Sequence, residues 1–208
     1  AYNNAGFGLW TESMQNYRTN WIVNIVIIML IILGGLGWRV TSDLWSNRYN
    51  LDRRRLSLHT RLVIRTSFIL VLLGTLGLLV TETIGKGNFF STLGWQEKVF
   101  TALFESISSR TAGFTNMPLS IENISDSGLL LLMTLMFIGA SPGGTGGGIK
   151  TTTLAALMAA TRSTLRGQDD VVIRNRQISD KVVLKAVGIT VGSLLFVLVM
   201  ALLLSMTS

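Results

Sequence analysis

Gly143-Gly-Thr-Gly-Gly-Gly-Ile-Lys-Thr151 is the stretch with the plainest claim to chemistry, because glycine-rich turns ending in Lys-Thr cradle phosphates. The register fails. A phosphate cradle needs Gly-Lys-Ser/Thr in direct succession, and Ile149 stands between Gly148 and Lys150. The run before it, residues 129–138, is Leu/Met-rich rather than strand-like, and no convincing acidic partner for magnesium follows. Cysteine is absent, which excludes disulfides and thiolate metal sites. The single histidine, His59, is too little for a His metal cluster and argues against a Ser-His-Asp triad. A second pattern is a repeat. Asn4-Ala-Gly-Phe7 recurs 107 residues later as Thr111-Ala-Gly-Phe114, and each copy leads through a mostly polar stretch into an apolar helix.

The elements that must position these residues are apolar. Of 208 residues 49% are hydrophobic and only 14% charged, and the mean hydropathy is +0.50, too high for an ordinary soluble domain. Residues 21–37, 62–80 and 182–204 are each long enough to cross a bilayer, which takes about 20 residues. Residues 129–140 are too few, unless residues 151–165 are the second half of one crossing broken by six glycines and a proline. Charge supplies the topology. Residues 38–65 carry seven arginines against two aspartates, and residues 150–185 carry seven basic residues against three acids. Residues 81–128 carry three basic residues against five acids. Basic loops stay cytoplasmic, so 38–65 and 150–185 are expected inside and 81–128 outside, with four crossings. The net charge of +7 therefore follows the membrane pattern, and nucleic acid is not expected as a partner.

Within the outer segment, residues 95–109 place apolar side chains at Trp95, Val99, Phe100, Leu103, Phe104 and Ile107. That is a helical period too short to span. A short helix followed by a Gly-containing turn, set between membrane helices, fits a re-entrant pore loop or a helix lying on the surface. The chain opens at Ala1 with neither an initiator Met nor a signal-like segment, so a partial chain is expected.

Tyr2-Asn-Asn-Ala-Gly-Phe7, Arg110-Thr-Ala-Gly-Phe114 and Gly139-Ala-Ser-Pro-Gly-Gly-Thr-Gly-Gly-Gly-Ile-Lys-Thr151 together resemble the ion-conducting subunit of the Trk/Ktr/HKT superfamily of potassium transporters, closest to the bacterial KtrB/TrkH type. The resemblance implies an all-α membrane protein of repeated helix–pore loop–helix units around a central ion pore. It divides the chain into four parts. Residues 1–46 are the end of a second-unit pore loop and its inner helix, and 47–60 a cytoplasmic basic loop. Residues 61–165 are a complete third unit, and 166–208 a cytoplasmic loop and the outer helix of a fourth. It implies gated potassium uptake at a bacterial plasma (inner) membrane, with sodium or proton coupling open and no organic cofactor. It also implies a homodimer in membrane lipid, with a cytosolic nucleotide-binding regulatory ring of the KtrA/TrkA type. A sodium-permeable member and a non-conducting scaffold are the alternatives.

Potassium is selected by oxygens that replace its hydration shell, and backbone carbonyls serve around a narrow pore. The expected ligands are the carbonyls of Asn4, Ala5, Gly6 and Phe7, and of Thr111, Ala112, Gly113 and Phe114, with the two phenylalanines as backing. Arg110, directly before a cation filter, either tunes ion affinity or anchors the loop through a salt bridge to Glu105 or Glu97. Gly139, Gly143, Gly144, Thr145, Gly146, Gly147, Gly148 and Lys150 are expected to form a mobile intramembrane gating loop, since irregular backbone at membrane depth is tolerated where it lines a cavity.

Overall fold

The computed structural model describes residues 1–8, 10–47, 56–85, 88–120, 122–168, 170–173 and 176–206. Of the expected basic positions, Arg48, Arg53, Arg54, Arg55, Lys86 and Arg174 lie outside these residues. The described architecture is helical, apart from a two-residue antiparallel ladder of Val172–Ile173 with Arg176–Gln177. After a single 3-10 turn at Gln15–Tyr17 come α1 (Trp21–Leu36), α2 (Trp38–Ser46) and α3 (Leu58–Ile84). Then follow the short α4 (Asn88–Ser91), α5 (Trp95–Ser108), α6 (Asp126–Phe137), α7 (Thr151–Leu165) and α8 (Asp180–Ser205).

Side-chain caps mark three helix starts. Asn20 Oδ1 accepts from Val23 N, Ser57 Oγ from Thr60 N and Ser125 Oγ from Gly128 N, each satisfying an otherwise orphaned first-turn amide. At 27 and 26 residues, α3 and α8 are long and apolar enough to cross a membrane. The expected crossing at 21–37 is different. It is broken at Gly37, where α2 leaves α1 at 98°. Gly37 has φ +84°, and a Cβ there would sit 2.6 Å from the Pro142 carbonyl oxygen. Only glycine meets both conditions. The crossing at 129–165 is broken as expected: α6 stops at Phe137 and α7 begins at Thr151.

Helix α3 is the hub, packed against α2, α5, α6 and α7. Gly74 lets α5 close in, since a Cβ there would collide with the Ser106 hydroxyl, which donates to the Val71 carbonyl (3.0 Å). At the far end the buried Glu82 accepts from Ser125 Oγ (2.7 Å) and Ser125 N, tying α3 to the start of α6. One buried cluster joins Ile28 and Ile31 of α1 to Phe104 and Ile107 of α5. A second joins Leu78, Ala102, Met117 and Leu132 beneath Phe90. Helix α8 rests on α7, and Ala186 is its one buried residue among those described.

Candidate functional site

The two repeated loops meet. Gly6 and Gly113 face one another so closely that a Cβ on Gly6 would lie 2.9 Å from the Gly113 Cα, and one on Gly113 would lie 3.1 Å from the Gly6 Cα. The backbone repeats as well. Asn4 and Gly6 have φ +49° and +69°, and Thr111 and Gly113 have +74° and +78°, while the alanine between each pair does not have positive φ. Positive φ at every second residue takes both loops off an extended strand in the same way.

Helix α5 aims its C-terminal end at the second loop. The Ser108 carbonyl accepts from Ala112 N (2.9 Å) and Gly113 N (3.4 Å), and the Ser109 carbonyl accepts from Thr111 N (2.7 Å). A planar trans peptide holds its carbonyl opposite its amide. The Thr111 and Ala112 carbonyls therefore point away from the end of α5, and the Ala112 oxygen lies beside Gly6 of the first loop. The C-terminus of α5 also carries about half a negative charge. The Phe114 carbonyl differs: it accepts from Ser108 Oγ and so turns back to the helix.

Glu105, fully enclosed on α5, holds the next stretch. Its Oε1 accepts from Thr115 Oγ1 (2.7 Å) and Asn116 N (2.9 Å). Thr115 N donates to Ser13 Oγ, and the Thr115 carbonyl accepts from Met14 N (2.9 Å), so the outgoing arms of both loops are stitched together. The two phenylalanines differ: Phe114 is buried in the α1–α5 cluster, whereas Phe7 is 90% exposed among the described residues. Arg110 also departs from expectation. Among the described residues it makes no ion pair with Glu105 or Glu97, because the Glu105 carboxylate is committed to Thr115 and Asn116. Its buried Nε has no hydrogen-bond partner, nor have Asn4 Oδ1 and Thr111 Oγ1. Arg110, Asn4, Ile31, Gly35 and Ser141 line a cavity of about 30 Å³, room for one water-sized group.

The segment between α6 and α7 folds back on itself below these loops. Ile149 N donates to the Phe137 carbonyl (3.0 Å), Gly139 N to Ile149 (3.1 Å) and Ala140 N to Gly147 (3.1 Å). It then caps α1: the orphan carbonyls of Gly34 and Gly35 accept from Thr145 N (3.1 Å) and Ser141 N (3.0 Å). Trp38 N donates to the Gly143 carbonyl across the α1–α2 bend. Thr145 Oγ1 donates to the Tyr2 carbonyl (3.0 Å), and Gly146 abuts Thr111 Oγ1. Lys150 Nζ donates to the Gly146 carbonyl (2.7 Å), which turns its ammonium back onto the segment.

Residues 1–208 match the family described as TrkH, cation transport protein. The chain belongs to the TrkH family. This is a family of membrane transporters, not of enzymes. The Ktr system potassium uptake protein B of Bacillus subtilis (strain 168) is 33% identical over 197 residues, which are 95% of this chain and 43% of that protein. The protein of the same name from Vibrio alginolyticus is 34% identical over 193 residues, 93% of this chain and 42% of that one. The crystal structure of the potassium transporter TrkH from Vibrio parahaemolyticus matches with a TM-score of 0.65 at 22% identity, covering 89% of this chain and 39% of that chain. The chain thus spans less than half the length of these relatives, and the structural match speaks for the fold.

In this TrkH-family chain, the two loops meet at Gly6 and Gly113, and the glycine segment reaches them through Thr145 at Tyr2 and Gly146 at Thr111. Gly34, Gly35 and Gly37, which receive and frame the glycine segment, were not anticipated as functional. Three glycines at the end of an apolar helix were the available signal. Glu105 and Ser108 were also missed in these roles, since nothing in a pore-helix pattern says which polar side chains turn back to brace the loop.

Proposed function

We propose that this chain forms part of a potassium uptake pathway in which the facing Ala-Gly-Phe loops are selectivity-filter quadrants. The observation that carries the reading is the convergence of Gly6 and Gly113 with matched left-handed backbone on both loops. A scaffold has no need to bring two distant repeats together with matched left-handed backbone. The coordinating set is the carbonyls of Asn4, Ala5, Gly6 and Phe7 on one loop and Thr111, Ala112 and Gly113 on the other, with Phe114 contributing less because its oxygen is held by Ser108. Residues 139–150 act as the gate beneath, held shut by their bonds to α1 and Tyr2. The working unit is a homodimer in a bacterial inner membrane, joined by a nucleotide-binding ring at the basic cytoplasmic face.

The test uses the transporter expressed from its whole gene, in a host that lacks potassium uptake. Rescue of growth at limiting potassium, with rubidium uptake in proteoliposomes, is the expected result. Folded protein that passes neither ion, or that passes sodium equally well, overturns the potassium reading. Arg110 tunes ion entry through its unpaired guanidinium beside the first loop. Arg110→Gln should change the half-saturating potassium concentration by about tenfold, the scale of one partly screened charge contact. An unchanged value in well-folded protein removes Arg110 from the pathway.

A further inference from the structure

A groove lies away from the filter, between the first half of α3 and the length of α7. Its volume is about 740 Å³. Chemistry divides it along its length. At one end stand Arg61 and Arg65 of α3, with Arg162 of α7 and Arg166 directly after it, two pairs at i, i+4 spacing. At the other end are Ile69 and Leu73 facing Leu154 and Met158. Among the described residues no carboxylate lines it, and Arg61 donates through Nε to the Leu56 carbonyl (2.8 Å), which leaves Arg65, Arg162 and Arg166 as its further cations.

The dimensions agree on both walls. Arg65 to Leu73 is eight residues along α3, and Arg162 to Leu154 is eight along α7. Each is about 12 Å at 1.5 Å per residue. Because α3 is a spanning helix, its apolar end lies at hydrocarbon depth and its arginine end near the interface. Ile69, Leu73 and Met158 are 41%, 59% and 62% exposed, so the apolar walls open sideways rather than into the pore loops.

We infer that this groove binds one anionic phospholipid, its phosphate on the arginines and an acyl chain along the apolar walls. Basic pockets between membrane helices at the cytoplasmic side suit such headgroups. A free phosphate ion would leave the apolar half unused. A peptide would bring unpaired backbone amides into hydrocarbon. The site couples the lipid to α7, the helix that continues directly from the glycine segment. It does not depend on which ion is transported.

The test is native mass spectrometry of the transporter expressed from its whole gene, in mild detergent with phosphatidylglycerol or phosphatidylcholine added. Retention of phosphatidylglycerol in preference to phosphatidylcholine is expected. Arg162→Gln with Arg166→Gln should weaken it about 30-fold, since each basic group near such a headgroup is worth a factor of about five. Leu154→Trp, which fills the channel and leaves the charge intact, should weaken it as well. Should the arginine variant not fold, Leu154→Trp decides alone. Loss with the arginine variant but not with Leu154→Trp would mean surface attraction only, and overturns the groove. Displacement by millimolar inorganic phosphate would mean a plain anion site, and overturns it. Absence of lipid preference would mean that another segment or subunit fills the space, and also overturns it.

Discussion

Gly113 carries two constraints that one methyl group would violate. Its φ of +78° costs an L-residue about 1–2 kcal/mol, and its Cβ would press on the Gly6 Cα at 3.1 Å. Gly113→Ala should therefore leave the helices in place and distort the meeting point of the loops. The expected outcome is folded transporter whose rubidium uptake becomes several-fold more sensitive to competing sodium. Unchanged discrimination would mean that these carbonyls do not choose the ion. Glu105 works one layer behind. Its carboxylate holds Thr115 and Asn116, and removing it leaves the Asn116 amide buried without a partner. Glu105→Ala should cost about 1–3 kcal/mol in thermal unfolding. Glu105→Gln keeps an acceptor oxygen and should cost less. Selectivity should fall in the same order as the two variants' stabilities. A loss of stability with selectivity intact would make Glu105 a fold residue only.

At the level of elements, the glycine segment departs from a mobile tether. It is hydrogen-bonded across itself, to the end of α1 and to Tyr2; at Gly139, Gly144 and Gly148 another backbone passes too close for a side chain, and Gly143 and Gly146 abut the side chains of Trp38 and Thr111. Gly147 is the exception, with open space around it. The proposed gate would open by breaking specific bonds, which makes it easy to bias. Deleting residues 143–147 removes the Thr145 bonds to Gly34 and Tyr2 together, and should raise rubidium flux at least several-fold. Thr145→Val removes only the hydroxyl bond and should raise it by a smaller factor. Unaltered flux in a well-folded deletion would show that the segment is not the barrier. The 98° turn at Gly37 belongs to the same device, because α2 leaves along the face where Gly143 accepts from Trp38.

For the whole molecule, the charge pattern commits to a topology that labelling can check. These 208 residues contain no cysteine, so a single one placed among them reports its own position once any cysteine elsewhere in the whole transporter is replaced. Thr92→Cys, exposed after α4, should react with an impermeant maleimide added outside intact cells. Thr164→Cys, exposed near the end of α7, should react only after the membrane is opened. The reverse pattern would invert the assignment of 81–128 as external. The exposed apolar surface of α8 belongs to the same scale: with Ala186 as its one buried residue, nearly the whole helix faces lipid or further protein.

Which parts were readable in one dimension follows from the range of the forces involved. Apolar period and length set α3, α5 and α8 to within a few residues, because desolvation in lipid acts on each segment separately. Arginine clusters set the expected sidedness for the same reason. The repeated Ala-Gly-Phe flagged both loops, since a left-handed backbone calls for glycine locally, whatever surrounds it. Contacts between distant segments were not readable. That Gly6 would meet Gly113, that Gly34 and Gly35 would be capped by residues 141–145, and that Arg110 would lose Glu105 to Thr115 are outcomes of packing. Each depends on which of several polar partners reaches an acceptor first in a space that exists only once α1, α3 and α5 are assembled. The residue types were set by the sequence itself. Their pairing was decided by the three-dimensional fit, because a buried hydrogen bond is made only where geometry brings both halves together.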